Sequence, residues 1–313
     1  MMKRLWPALL CCAALTARPA LGDAAAAGPA TQPSKFIRFV QAAGGGELDT
    51  ADVAFSNGHG VTVHLVAAVH IAESSYYAKL SRSFEDDDAV LYEMIKDRDA
   101  APPAGAGAGE QSDNIISRIQ VLLKNSLDLD FQLDDIDYTK SNFVHADLDK
   151  ETFEKMESDR GESLWTLMIQ QAVKQWADAP KDQTPDMDQE MSQLVTLLCR
   201  PDGTRQFKLL IARDMDQLDM DAAGLGGPDG SVILTERNKA AMRALDASLA
   251  AGKKNIAIFF GAAHMPDMAE RLAARGFLPV HTDWRMAWDL TIRPDQPSVI
   301  ENILNGMIDS AGK

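Results

Sequence analysis

Two histidines follow buried strands in matching sequence contexts. One segment, Val63–His70, reads Val-His-Leu-Val-Ala-Ala-Val-His, and the other, Ala257–His264, reads Ala-Ile-Phe-Phe-Gly-Ala-Ala-His. In each, an apolar run leads through small residues to a histidine just before a predicted helix. Ligands bind at the carboxyl ends of strands in α/β sheets, and small residues allow a close approach. Because histidine is the commonest metal ligand and the usual general base near neutral pH, we expect His70 and His264 to converge on a chemical site.

Two charged residues are placed to complete such a site. Glu93 ends the apolar run Ala89–Tyr92, and a carboxylate at the end of a buried strand requires a partner, of which a cation is the obvious one. Arg237 lies at the start of an amphipathic helix that Thr235 is expected to cap. An arginine there opposes the helix dipole, which is tolerated when the side chain reaches a carboxylate or a substrate. Arg237 is therefore predicted to hold Glu93 or to polarise a carbonyl group.

The other polar residues have structural explanations of comparable weight. His145 and Asp147 either line the cleft from the inserted region or belong to a polar loop before a helix at 149–158. The residues interpreted as structural are His59, His64 and Cys199, whereas His281 is open to either interpretation.

The pattern of apolar residues predicts an α/β fold with a mixed central sheet, flanking helices and a large helical insertion. A near-continuous apolar run is typical of a strand covered on both faces, and a repeat every three to four residues is typical of a helix. Strands are predicted at 35–41, 51–56, 61–71, 89–95, 255–261 and 278–290, the last as one or two strands. Helices are predicted at 74–84, 235–251 and 265–274, and the helical insertion at about 112–230. The order of strand 61–71, helix 74–84 and strand 89–95 suggests a βαβ unit.

The amino terminus has the three-part layout of a secretory signal. Lys3 and Arg4 precede a short apolar run, and small residues at 20–22 suggest cleavage after Gly22. A flexible leader at 23–34 would follow, and then a single domain at 35–313. The expected location is the periplasm or the outside of the cell. The apolar run is too short to span a membrane, and a formal charge of −15 disfavours nucleic acid as a partner.

Five motifs in this order resemble the TraB/PrgY/GumN family, to which the Tiki metalloproteases also belong. More distantly they resemble erythromycin esterase and the haem-binding ChaN proteins. The resemblance covers about residues 36–290. Its motifs are Val66–Ile71, Val90–Glu93, Asn142–Leu148, Leu234–Asn238 and Gly261–His264.

The resemblance implies a site and a reaction type. It implies His70, Glu93 and His264 as the site, with Arg237 as an additional residue. In the first Gly-x-x-His motif Ala67 stands where the family has glycine, so the first half of the site departs from the pattern. Characterised relatives include divalent-metal-dependent proteases acting outside the cell, and this implies a peptide or protein substrate.

Three hypotheses follow from these residues. The leading one is a metal-dependent hydrolase of peptide or amide bonds in which His70, Glu93 and His264 bind Mn, Co or Zn. A nearby carboxylate would accept a proton and Arg237 would stabilise the oxyanion. The second is a binding protein for haem or a peptide, without catalysis. The third is a metal-free, esterase-like hydrolase with His70 as general base. The Ala-, Gly- and Pro-rich segment 100–109 and the insertion are expected to form a lid over the cleft.

Overall fold

The computed structural model describes residues 36–42, 44–104, 129–160, 196, 200, 202–216 and 231–291. The expected signal at 1–22, the leader at 23–34, Cys199 and much of the expected insertion and lid lie outside these residues. Within the described part, no helix is long and apolar enough to cross a membrane.

Nine strands are described, and seven of them form one mixed sheet. Their bounds are β1 Ile37–Ala42, β2 Gly45–Ser56, β3 Thr62–Ala68, β4 Ile71–Ala72, β5 Ala89–Tyr92, β6 Asp130–Phe131, β7 Phe143–His145, β8 Asn255–Gly261 and β9 Leu278–Asp289. β2 pairs antiparallel with β1, β3 and β9, whereas β3, β8, β5 and β7 are parallel neighbours in that order. β4 and β6 pair separately as a short antiparallel ladder. The predicted α/β class with a mixed central sheet is confirmed.

Within the described ranges, six α-helices accompany the sheet. Their bounds are α1 Ser74–Ser83, α2 Gln132–Asp135, α3 Lys150–Arg160, α4 Gly203–Asp216, α5 Arg237–Ala250 and α6 Met265–Ala274. A π-helical turn, Val232–Glu236, leads directly into α5. Pro266 lies in the first turn of α6, where its missing N–H needs no partner, and Gly276 follows α6 with a φ of +82°.

Each face of the sheet is covered by its own apolar cluster. On one face, side chains of β3 and β8 such as Val66 and Phe259 pack with Tyr76 and Tyr77 of α1. On the other face, the alternate side chains of the same strands pack against α5 and α6. β3 and β8 are apolar on both faces because both faces are buried, and this explains their near-continuous apolar sequences.

Two features of the topology differ from the predictions. β8 lies between β3 and β5, so these two strands are parallel but not adjacent. The insertion also contributes a strand, β7, to the main sheet, although its sequence was interpreted as helical. β7 has only three residues, and its pattern of burial alternates, so it lacks the apolar run that marks the central strands.

Candidate active site

The carboxyl ends of the four parallel strands bring the candidate residues to one edge of the sheet. Glu93 directly follows β5, and His264 ends the 3₁₀ turn Ala262–His264 that follows β8. His70 lies two residues after β3, and Asp147 lies two residues after β7. Arg237 reaches the same edge from the first turn of α5, which packs on β5. The parallel register is what places five residues from distant parts of the chain side by side.

Glu93 is the centre of the group, and both of its carboxylate oxygens have partners. Oε2 accepts a hydrogen bond from the backbone N–H of Gly261 at 2.6 Å. Oε1 accepts one from Nη2 of Arg237 at 2.6 Å and lies 3.5 Å from Nε2 of His264. Burial alone would raise the pKa of this carboxyl, but the positive charge at His264 and Arg237, with a smaller effect from His70, holds the pKa well below its usual range. Glu93 is therefore an ionised carboxylate at neutral pH.

The guanidinium group of Arg237 donates hydrogen bonds to two carboxylates, those of Asp147 and Glu93. Its Nε donates to Oδ1 of Asp147 at 2.9 Å, and its Nη2 donates to Oδ2 of Asp147 at 2.6 Å. The Asp147 side chain is fully buried, and that of Arg237 is only 10% exposed. Burial would lower the pKa of Arg237, but the charges of Glu93 and Asp147 outweigh it and raise the pKa. These carboxylates also offset the unfavourable position of an arginine at the start of a helix.

His264 is oriented by an amide on α5. Its Nδ1 lies 2.6 Å from Oδ1 of Asn238. The amide orientation of Asn238 is fixed because its Nδ2 donates to Oδ2 of Asp267 at 2.7 Å. An amide oxygen only accepts, so Nδ1 of His264 carries a proton, and in the neutral ring Nε2 is a lone pair directed towards Glu93.

His70 has the opposite environment from His264. It is exposed, whereas His264 is 4% exposed. Its ring makes no hydrogen bond to the described residues, although it contributes to lowering the pKa of Glu93. Its backbone oxygen accepts a hydrogen bond from the N–H of Gln132 at 2.9 Å. His70 is thus anchored by its backbone and free at its ring.

Gly261 and Ala67, the first residues of the two matching motifs, have different surroundings. A Cβ added to Gly261 would lie 3.3 Å from Oε2 of Glu93, which is tighter than ordinary contact. Ala67, in the corresponding position of the first motif, is buried in the cluster under α5 and α6, and its backbone oxygen accepts a hydrogen bond from the Tyr76 hydroxyl. The methyl group of Ala67 therefore lies in the apolar core, where alanine fits.

The donor atoms suit a cation in part. Nε2 of His264 and Oε1 of Glu93 are 3.5 Å apart, too far for a good hydrogen bond. Two ligands at about 2.1 Å from a tetrahedral metal lie roughly 3.4 Å apart, so this pair fits a transition metal. Among the described residues, however, no group of three His, Cys, Asp or Glu side chains is close enough to hold a metal. His70 is therefore not a third ligand in this arrangement.

The remaining candidates lie elsewhere or act structurally. Nε2 of His145 lies 2.6 Å from the backbone oxygen of Met94, and its ring packs on Tyr92. His64 lies 3.0 Å from Asp52 on β2, six residues before His70, and His281 lies beside the exposed Asp283. Thr235 does not cap α5; its hydroxyl accepts from the N–H of Ser231 within the π-helical turn.

Sequence reasoning missed Asn238 and gave Asp147 no definite role. Asn238 directly follows Arg237 in α5. Arg237 donates to Glu93, and Asn238 accepts from the neighbouring His264. Its signal was available in the motif Leu234–Asn238, but the side-chain hydrogen bond to His264 depends on how α5 packs against α6. Asp147 was a candidate for lining the cleft, and its contact with Arg237 depends on β7 joining the sheet, which was not predicted.

The chain matches no protein-family model, no curated protein sequence and no solved structure.

Proposed function

We propose that the protein is a hydrolase of peptide or amide bonds, with its site at Glu93, His264, Arg237 and His70, and that it uses a divalent Mn, Co or Zn ion. The observation that carries this proposal is the pair formed by Oε1 of Glu93 and Nε2 of His264. When the His264 ring is neutral, a carboxylate oxygen and an imidazole lone pair face each other at 3.5 Å, and both are oriented by further hydrogen bonds. Two electron-rich atoms held in this way call for a cation.

The formal charges of the buried group formed by Glu93, Asp147, Arg237 and His264 also favour a bound cation. Glu93 and Asp147 contribute two negative charges, and Arg237 contributes one positive charge. With a neutral His264, the group carries one uncompensated negative charge in a largely buried place. A cation bound beside Glu93 would balance it.

Each residue has a defined task in this proposal. Glu93 and His264 would hold the ion, which when bound supplies a water of lowered pKa and polarises the scissile carbonyl. Asn238 keeps Nε2 of the neutral His264 ring available as a lone pair, because its Oδ1 accepts a hydrogen bond from the proton on Nδ1. Nη1 of Arg237 makes no hydrogen bond to the described residues, and it is available to donate to the oxyanion. The exposed His70 is accessible to the substrate and can exchange a proton with the leaving group.

A second candidate is a hydrolase that needs no metal. It is favoured by the finding that the described residues offer only two closely placed donors rather than three. Here His70 accepts the proton of the attacking water, and Arg237 stabilises the oxyanion.

One assay tests the proposal and separates the candidates. The purified protein is incubated with a mixed peptide library before and after exhaustive chelation and after re-addition of Mn²⁺, Co²⁺ or Zn²⁺, and the cleavage products are identified by mass spectrometry. We expect cleavage that chelation removes and one of the ions restores. The variants Glu93→Gln and His264→Ala should be inactive, whereas His281→Ala, which changes an exposed histidine on β9, should retain activity. Cleavage that survives chelation but is lost in His70→Ala supports the metal-free candidate. Wild-type cleavage in all of these variants, His70→Ala included, rejects both.

The haem- or peptide-binding alternative is tested with the same samples. Histidine ligation of added haem produces a characteristic absorbance band, so titration of haem into the wild type and into His70→Ala distinguishes it. An absorbance band that depends on His70, in a protein that cleaves no peptide, would replace the hydrolase proposal with a binding protein.

A further inference from the structure

Gln132, whose backbone N–H donates to the His70 oxygen, has a buried side-chain oxygen without a hydrogen-bond partner among the described residues. Its side chain is 94% buried, since the residue is 6% exposed, and Nε2 donates to the Tyr138 hydroxyl at 2.8 Å. Its Oε1 is buried and has no hydrogen-bond partner in the described part of the chain. A buried carbonyl oxygen without a partner is unfavourable, and such an atom in a folded protein calls for an explanation.

The register of the short β4–β6 ladder places Gln132 opposite His70. Ile71 pairs with Phe131, and Ala72 pairs with Asp130. The next pair in this antiparallel register is His70 with Gln132, and the hydrogen bond from the Gln132 N–H to the His70 oxygen continues the ladder by one residue. Gln132 is also the first residue of α2, so the ladder ends here, and the backbone hydrogen bond keeps His70 and Gln132 within side-chain reach of each other.

Oε1 of Gln132 is a hydrogen-bond acceptor without a donor among the described residues, and the His70 ring can supply a donor. On the other side of Glu93, the ring of His264 donates from Nδ1 to the amide oxygen of Asn238, and this fixes its tautomer and orientation. The His70 ring makes no hydrogen bond to the described residues. An amide oxygen and a histidine ring, both without a hydrogen bond to the described residues, thus belong to two residues whose backbones are hydrogen-bonded to each other.

We infer that Gln132 orients His70 as Asn238 orients His264. The ring nitrogen of His70 that faces away from Glu93 donates its proton to Oε1 of Gln132, leaving the other nitrogen as a lone pair on the side of Glu93. Gln132 is then a positioning residue and not a catalytic one. This inference concerns the same site as the proposed hydrolase and assigns that site a pair of histidines, each held by a neutral amide.

The test is the tautomer of His70 observed by NMR on the full protein labelled with ¹⁵N-histidine, at a pH where the ring is neutral. The His70 signals are assigned from their loss in His70→Ala. In the wild type, His70 should populate one N–H tautomer predominantly. Gln132→Met, which keeps the length and removes the acceptor, should shift His70 towards the tautomer mixture of an exposed histidine. Gln132→Glu, which keeps an acceptor oxygen, should restore the wild-type pattern.

Three controls keep the outcomes distinct. The His264 signals should be the same in all three proteins, and thermal unfolding should show that each variant is folded. Peptide cleavage is measured in parallel. A His70 spectrum that is the same in the wild type and in folded Gln132→Met overturns the inference, whatever the activity. A tautomer that depends on Gln132 in a protein that cleaves nothing supports the inference while the hydrolase proposal fails.

Discussion

Asp147 and Glu93 share one nitrogen of a single guanidinium group. Nη2 of Arg237 lies 2.6 Å from Oδ2 of Asp147 and 2.6 Å from Oε1 of Glu93. Asp147 also accepts a hydrogen bond from Nε of the same arginine. Two nitrogens of the guanidinium group thus donate to Asp147, whereas one of them donates to Glu93. The position of Arg237, and through it that of Glu93, therefore depends on an acid from the far edge of the sheet.

The first prediction concerns this dependence. Asp147→Asn removes one of the two charges that balance the buried Arg237, so we expect the free energy of unfolding to fall by on the order of 3 kcal/mol. We also expect a loss of peptide cleavage, because the guanidinium group of Arg237 is no longer held in the orientation in which it donates to Glu93. Urea unfolding followed by circular dichroism measures the first effect, and the cleavage assay measures the second.

The matched control for Asp147→Asn is an exposed ion pair. Nη2 of Arg98 lies 2.9 Å from Asp149, and the Arg98 side chain is 75% exposed. Exposed pairs contribute little, so Arg98→Gln should leave both unfolding and cleavage unchanged. If Asp147→Asn behaved like Arg98→Gln, the described network would not hold the site together.

The second prediction concerns the tautomer of His264. Asn238→Leu preserves the approximate volume at a fully buried position but removes the acceptor for the Nδ1 proton. We expect the Nδ1–H tautomer of His264 to predominate in the wild type and to lose its preference in the variant, as seen by ¹⁵N NMR. Loss of such an orienting partner typically lowers metal affinity or activity about 10- to 100-fold. Lys239→Leu, at the next and exposed position, should change neither property.

The sequence was sufficient to predict the central strands and the close approach of Glu93, Arg237 and His264 at the carboxyl edge of the sheet. β8 and α6 occupy the predicted residues 255–261 and 265–274, because a buried parallel strand and an amphipathic helix each have a strong apolar pattern. Glu93 and Arg237 were paired in advance for a general reason: a buried carboxylate and an arginine opposing a helix dipole each need an opposite charge.

The parts that escaped prediction depend on contacts between distant segments. β7 is too short to leave a pattern, and without it Asp147 could not be assigned to Arg237. The unequal environments of His70 and His264 were also hidden, because the two motifs are alike in sequence. The difference arises from the packing of Asn238 on α5 against His264 and from the β4–β6 ladder beside His70.

The third prediction concerns a buried acid at the opposite, amino-terminal end of the parallel strands. Burial raises the pKa of Asp87 from 3.8 to about 6, with nearby acids adding to the effect and His64 opposing it. The folded protein therefore binds this proton more tightly than the unfolded chain does. The stability that this bound proton contributes is fully present below about pH 4 and is lost as the pH rises through about 6. Above that pH, Asp87 carries a partly buried negative charge.

Asp87→Asn removes that charge, so it should stabilise the protein at pH 8 by on the order of 2 kcal/mol relative to the wild type. The gain should shrink as the pH falls through about 6 and approach zero below about pH 4, where Asp87 becomes neutral in both the folded and the unfolded state. Urea unfolding at the two pH values measures the difference. Asp86→Asn, at the exposed neighbouring position, removes only one of the acids that act on Asp87, so its pH-dependent gain should be much smaller. A stabilisation of equal size at both pH values would show that the charge of Asp87 is not its origin.

The fourth prediction separates a glycine needed by the site from one needed by the backbone. In Gly261→Ala the new Cβ would lie 3.3 Å from Oε2 of Glu93, so the carboxylate must move by a few tenths of an ångström. The φ of Gly261 is −54°, which alanine adopts without strain, so we expect cleavage to fall while the unfolding midpoint is nearly unchanged. Gly252→Ala is the converse control: it lies after α5 in open space but at a φ of +83°, so it should lower stability by about 1 kcal/mol and leave cleavage intact. If both variants lost activity in proportion to their loss of stability, the close contact between Gly261 and Glu93 would have no functional meaning.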